Sequence, residues 1–116
     1  MIRIKRVYEA PAPDDGLRVL VDRLWPRGLT KERAAVDIWM KELAPSHELR
    51  RWFHHDPTKW DDFESRYRQE LAGQDEALEL LRNKSRAGVV TLLYGARDTE
   101  NNQATVLRSI LKRGRR

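Results

Sequence analysis

Two short polar stretches hold most of the side chains that could bind or act on a ligand. The first, from Asp22 to Gly28, contains an acid, two arginines, an indole and a proline directly after an apolar run. The second, from Tyr94 to Asn102, contains a phenol, an arginine, aspartate and asparagine. Guanidinium groups bind carboxylates and phosphates in a bidentate geometry, and aromatic rings can stack on a planar ligand. The two stretches therefore predict a site for a small anionic ligand, phosphate-like or nucleotide-like.

Each candidate residue has an expected role in such a site. Arg23 and Arg27 would hold the anion, Trp25 and Tyr94 would form walls, and Asn102 would orient the ligand. In full, the predicted ligand-binding residues are Arg23, Trp25, Arg27, Tyr94, Arg97, Asp98 and Asn102.

Whether the protein is an enzyme stays open at this stage. If it is one, Asp22 is the candidate for an acid or base role. A structural explanation competes, in which Asp22 and Arg23 form an ion pair and Asp98 and Asn102 are ordinary capping residues. No glycine-rich phosphate loop or dinucleotide-binding motif is present, and Gly28 stands alone.

Two apolar runs must bring the polar stretches together. Residues 17–22 and 89–94 predict strands that are covered on both faces, as in a parallel or mixed sheet. Ligands of open α/β sheets bind at the carboxyl ends of the strands, where both stretches would then lie. Alternation over residues 2–8 predicts another strand, and residues 36–41 predict a further extended segment or a loop.

Capping residues mark the predicted helices. Thr30 begins a short helix, Ser46 the next, and Asp56 with Pro57 the third, which reaches the stop signal at Gly73. A fourth helix is expected over about 75–84, and a last one from Asp98 or Thr99 to about Lys112. These elements predict a single α/β domain over residues 1–111, with a small mixed or mostly parallel sheet flanked by helices. A basic tail, residues 112–116, follows the domain.

Composition narrows the function classes. The 116-residue chain has no cysteine, which excludes disulfides, thiolate nucleophiles and cysteine-based metal clusters. Its three histidines lack metal-ligand spacing on a helix, so neither a metal nor another cofactor is expected. No apolar run of about 20 residues and no signal-peptide pattern is found, which predicts a cytoplasmic protein without membrane contact.

Charge and aromatic residues leave two other functions open. The net charge is +5, but the tail supplies four of these charges, and without it 19 basic residues face 18 acidic ones. The charge total therefore does not indicate a basic face on the domain, and a nucleic-acid accessory protein would use the tail and the arginine-rich loops. The third alternative is a homodimeric interaction module that uses aromatic residues near Trp39 and Trp52. The oligomeric state itself is left open.

Several motifs, taken together, resemble a known family. They are the stretch from Val21 to Gly28, the stretch from Trp39 to Ser46, His55-Asp56-Pro57 with Trp60 and Phe63, and Thr91 to Tyr94 with Asn102. Nearly the whole chain is similar to the YeaO-like family of small bacterial proteins, domain of unknown function 488. The resemblance implies an α/β fold and no settled activity. Larger relatives carry a Cys-His-Arg element at the second strand end, and the matching residues 98–103 have neither cysteine nor histidine.

Overall fold

The computed structural model describes residues 1–54 and 56–113, and this part of the chain forms four strands and five helices. The strands are β1 (Ile2–Arg6), β2 (Leu17–Leu20), β3 (Ile38–Trp39) and β4 (Val90–Tyr94). The helices are α1 (Lys31–Ala34), α2 (His47–Phe53), α3 (Trp60–Glu70), α4 (Asp75–Ala87) and α5 (Gln103–Arg113). Short 3-10 turns cover Pro13–Asp15, Lys41–Leu43, Pro57–Lys59 and Leu71–Gly73.

The strands form one parallel sheet in the order β1-β4-β2-β3. Val90 of β4 lies opposite Ile2 of β1 on one side and opposite Leu17 of β2 on the other. Because the strands are parallel, their carboxyl ends meet at one edge, as the sequence predicts. The α/β fold with a mostly parallel sheet in a single domain is confirmed. No described helix has the length and apolar character needed to cross a membrane.

Both faces of the sheet are covered, which explains the continuous apolar runs of β2 and β4. Val19 and Leu92 point into a large core that α2, α3, α4 and α5 complete. Leu20 and Leu93 point to the opposite face, into a small cluster with Val7 and the α1 segment. Successive side chains of β2 and β4 therefore point to opposite faces of the sheet, as they do in any pleated strand.

The predicted helix starts are confirmed for three helical segments. The hydroxyl of Thr30 accepts a hydrogen bond from the Arg33 amide, and that of Ser46 accepts one from the Leu49 amide. The Asp56 carboxylate accepts from the Thr58 amide before the turn that leads into α3. Each cap satisfies an amide that has no partner inside its helix.

The start of α5 is the main correction. Neither Asp98 nor Thr99 caps this helix, because Asn102 does: its Oδ1 accepts the Thr105 amide at 3.1 Å. Asp98 instead closes a tight turn, in which its Oδ1 accepts the amides of Glu100 at 2.9 Å and Asn101 at 3.0 Å. Two acceptor residues compete in this short segment, and the pattern of side chains does not show which of them begins the helix.

Other element bounds shift by a few residues. β1 ends at Arg6 and not at residue 8, and β2 ends at Leu20 and not at residue 22. Residues 36–41 contain only the short β3, and α4 runs on to Ala87. Two residues of the predicted tail belong to α5, which ends at Arg113. Residues 114–116 lie outside the described part, so the division into domain and tail stays a prediction.

Candidate functional site

A cleft opens at the carboxyl edge of the sheet, between α2 and the start of α5. Its inner lobe has a volume of about 410 Å³. Two arginines, two histidines and three amide side chains line this lobe, and none of its described lining residues is acidic. The lining residues are Pro45, His47, Arg50, Arg51, Phe53, His54, Phe63, Ala96, Asn101, Asn102 and Gln103.

An outer lobe of about 780 Å³ continues the cleft. It shares Phe53, Ala96 and Asn101 with the inner lobe, so the two lobes meet at these residues. Two further arginines and one acid line it. The lining residues are Arg27, Phe53, Pro57, Gly95, Ala96, Arg97, Asp98 and Asn101.

Helix α2 presents Arg50 and Arg51 to the inner lobe because its apolar residues are held in the core. Leu49 and Phe53 are buried, and the Phe53 ring lies 4.5 Å from the Phe63 ring, centroid to centroid. The two arginine side chains are exposed, and neither forms an ion pair with a residue in the described ranges 1–54 and 56–113. Both guanidinium groups are therefore available to an anion.

Asp22 lies behind the inner lobe and joins the two strand ends. Its Oδ2 accepts the Gly95 amide at 2.9 Å, and its Oδ1 accepts a hydrogen bond from the Gln103 side chain. Burial raises the pKa of Asp22, whereas the two hydrogen bonds and the positive charge of Arg50 lower it. Burial is the larger effect, and the resulting pKa is about 6. This carboxyl therefore changes its charge close to neutral pH.

Arg23 and Trp25 lie outside the lining of both lobes. The Arg23 guanidinium donates from Nε to the Pro45 carbonyl at 2.9 Å and from Nη2 to the Ala44 carbonyl at 3.1 Å. The Trp25 indole donates to the Leu29 carbonyl at 2.7 Å and belongs to the small cluster on the other sheet face. Both side chains hold the strand end and its loop in place.

Tyr94 and Asn102 form a buried pair at the end of β4, and Asn102 also lines the inner lobe. Tyr94 is 2% exposed and Asn102 is 3% exposed. Burial is the main cause that raises the pKa of the Tyr94 hydroxyl, which also has a hydrogen bond with the Asn102 side chain. The Asn102 amide donates to the Asp98 carbonyl at 2.9 Å, so this side chain positions the loop between β4 and α5.

Of the eight site residues predicted from the sequence, four line the cleft and four do not. Arg27, Arg97, Asp98 and Asn102 line it, whereas Asp22, Arg23, Trp25 and Tyr94 do not. Ligand binding by any of them stays a prediction. Sequence reasoning missed Arg50 and Arg51. The helical pattern of residues 47–53 places them off the apolar face, but no sequence signal places that helix beside the end of β4.

The histidines offer no metal site in the described residues. His54 ends α2 with a left-handed backbone (φ 44°) and lines the inner lobe, whereas His55 lies outside the described ranges. Among residues 1–54 and 56–113 no group of three histidine, aspartate or glutamate side chains could hold a metal ion.

Comparisons with known proteins place the chain in a family. A family model with the description "Inactive DUF488-N3 subclade" matches residues 1–115. The chain belongs to this subclade. It is similar to the uncharacterized protein Rv3073c of Mycobacterium tuberculosis, with 47% identity over 110 residues, 95% of this chain and 92% of the relative. It is also similar to YeaO of Escherichia coli, with 42% identity over 111 residues and 96% of both chains. No solved structure matches the chain.

Proposed function

We propose that the protein binds a small anionic ligand, phosphate-like or nucleotide-like, in the inner lobe without transforming it. The observation that carries the proposal is the pair Arg50 and Arg51 in a lobe whose described lining has no acidic side chain. Paired guanidinium groups suit the planar oxygens of phosphate and carboxylate groups. A volume of about 410 Å³ lies within the usual range for small-molecule sites.

Amide side chains add hydrogen-bonding groups to this positive lobe. Asn101 is partly exposed in the wall that both lobes share, and its amide can donate to an anion. Gln103 is also in the lining, but its amide already donates to Asp22. The arginines thus supply the charge, and the loop before α5 supplies polar contacts.

Two observations favour binding without catalysis. The matching family model carries the word "inactive" in its description. Asp22, the candidate acid or base, does not line the cleft and has both carboxylate oxygens engaged by Gly95 and Gln103. Its role in the proposed function is electrostatic, because it sets the charge next to Arg50.

Calorimetry and thermal unfolding with inorganic phosphate, AMP and a panel of phosphorylated metabolites test the proposal. A ligand at 100 times its dissociation constant adds about 2.7 kcal/mol to the free energy of unfolding. We expect at least one probe to raise the melting temperature of the wild-type protein. Arg50→Ala and Arg51→Ala should each remove most of this effect.

Arg33→Ala is the matched control, because Arg33 is an exposed arginine of α1, outside both lobes. It changes the net charge by the same amount and should leave the ligand effect intact. The proposal fails if no probe binds the wild-type protein. It fails equally if Arg50→Ala and Arg51→Ala bind the probe as strongly as Arg33→Ala does.

The other two predicted functions have no specific structural observation in their favour. Lys112 and Arg113 are in α5, and the rest of the basic tail lies outside the described residues. The Trp39 indole donates to the Asp22 carbonyl at 2.7 Å, and Trp52 lies beneath the Arg66 guanidinium at 4.2 Å. Both rings are thus packed by neighbours within the chain. The nucleic-acid and homodimer alternatives stay predictions.

A further inference from the structure

The cleft has positive charge in two separate places. Arg50 and Arg51 project from α2 into the inner lobe. Arg27 and Arg97 come from loops after β2 and β4 and line the outer lobe. No ion pair within residues 1–54 and 56–113 engages any of the four guanidinium groups. Each lobe can therefore offer a pair of guanidinium groups to its own anion.

The surface between the two arginine pairs is mainly apolar. Phe53 and Ala96 lie in the lining of both lobes, together with the Asn101 amide. Phe53 is 8% exposed, so only part of its ring is accessible at this junction. A ligand that reaches from one lobe to the other would cross this surface with an uncharged segment.

The outer lobe also contains an acid, which reduces its charge without reversing it. Asp98 lines this lobe together with Arg27 and Arg97, so its described lining contains two positive side chains and one negative one. The Asp98 Oδ1 atom accepts the amides of Glu100 and Asn101, so part of its negative charge is satisfied by the backbone. The charges of the lining therefore favour an anion more in the inner lobe than in the outer lobe.

We propose that the ligand carries two anionic groups joined by a short uncharged segment, one group in each lobe. This inference rests on the proposed function, because the inner lobe must bind an anion first. The second group then binds within the same molecule, at a high effective concentration that depends on the length of the segment. Affinity should therefore pass through a maximum as the distance between the two groups increases.

Calorimetry with linear alkane bisphosphates of two to six carbons, each compared with its alkyl monophosphate, tests the inference. These probes keep the phosphate chemistry constant and vary only the distance and the second anion. For the wild-type protein we expect one bisphosphate to bind at least tenfold more tightly than its monophosphate. The Arg27→Ala/Arg97→Ala double variant should reduce this ratio to about one, and Arg33→Ala should preserve it.

The outcomes separate this inference from the proposed function. A monophosphate that binds as tightly as every bisphosphate overturns the two-anion inference and leaves the anion site standing. A bisphosphate preference that persists in the Arg27→Ala/Arg97→Ala variant also overturns it. If neither probe class binds, or if Arg50→Ala/Arg51→Ala binds both as well as the wild-type protein does, the proposed function fails as well.

Discussion

The backbone amide of Gly95, directly after β4, donates to Asp22 Oδ2, just beyond the end of β2, over 2.9 Å. A β-carbon at position 95 would lie 2.9 Å from the same oxygen, closer than such atoms approach in proteins. Asp22 can accept this hydrogen bond in its present position because residue 95 is a glycine and has no β-carbon. They hold two neighbouring strand ends together behind the cleft.

Gly95→Ala should destabilise the protein by about 1–3 kcal/mol, because Asp22 must turn away and lose the Gly95 amide. Urea unfolding at pH 7 measures this loss. Gly73→Ala is the matched control, since no atom lies within 4 Å of a β-carbon built there. Equal stabilities of the two variants would show that Asp22 adapts without cost.

Relative to the wild-type protein, Asp22→Asn should gain about 1–3 kcal/mol of stability as the pH rises from 4 to 8, because the asparagine is never charged. The folded pKa of Asp22, about 6, is above the value of about 3.9 for an unfolded aspartate, so the folded state binds the proton more tightly. Binding of this proton therefore stabilises the folded state fully below pH 4, and the stabilisation is lost as the pH rises through 6. Urea unfolding of both proteins between pH 4 and 8 should show curves that separate with rising pH; parallel curves would contradict the prediction.

Anion affinity should rise as the pH falls through about 6, because protonation of Asp22 removes a negative charge that attracts Arg50. We expect a threefold to tenfold change, equivalent to about 0.7–1.4 kcal/mol. His47 and His54 also line the inner lobe, so the wild-type profile alone does not isolate Asp22. Calorimetric titrations of sulfate, whose charge stays constant over this pH range, into Asp22→Asn supply the comparison. This variant should bind more tightly at pH 7.5, and the same affinity in both proteins would refute the coupling.

The sequence predicted the fold well because the fold depends on local patterns. Apolar runs indicated β2 and β4, and capping residues indicated three helix starts. The candidate site was harder, because its cations come from helix α2, which no pattern places beside the end of β4. The apolar residues Leu49 and Phe53 show which face of α2 is buried, but not which neighbour the exposed Arg50 and Arg51 meet.

Arg23→Ala separates the sequence-based role of this residue from its structural contacts. The variant should lose about 1–3 kcal/mol of stability, because the carbonyls of Ala44 and Pro45 lose a charged donor. Its phosphate affinity, measured below the melting temperature, should stay within about threefold of the wild-type value. A folded variant that no longer binds phosphate would instead support the ligand-binding role predicted from the sequence.

The sequence indicated that the arginine at position 23 donates hydrogen bonds, but it did not indicate which groups accept them. An arginine after a buried strand can bind a ligand or a nearby backbone, and both uses need the same guanidinium donors. Which one occurs depends on where residues 44–45 pass, and that path is set by tertiary packing around β3. Arg27, four residues later, is exposed and lines the outer lobe.

Arg18→Ala should cost about 1–3 kcal/mol, because the buried Asp15 carboxylate loses one of its two cationic partners and keeps only Lys5, at 3.1 Å. Arg18 and Asp15 are both 4% exposed, and their nearest N–O distance is 2.6 Å. Arg3→Ala is the control, since the pair that Arg3 forms with Asp14 is solvent-exposed and should be worth less than about 1 kcal/mol. Chemical denaturation measures both variants, and similar losses would contradict the prediction.

The same pair predicts sensitivity to acid. Burial raises the pKa of Asp15, but hydrogen bonds from Ala12, Lys5 and Arg18 outweigh burial and lower it overall. A lowered pKa adds stability that is complete above about pH 4 and is lost as the pH falls through the folded value. The wild-type protein should therefore lose more stability than Arg18→Ala between pH 4 and 2.

The position of β4 has a consequence for the order of folding. β1 and β2 are separated by β4 and pair with it on either side, although β4 follows both of them by a long stretch of chain. A nascent chain on the ribosome therefore has two early strands that cannot form this sheet until residues 90–94 have emerged. Contacts between such distant residues slow folding, since the loop between them must close first. β1 and β2 therefore depend on a strand far along the chain from them, and the sheet cannot exist before that strand has been synthesised.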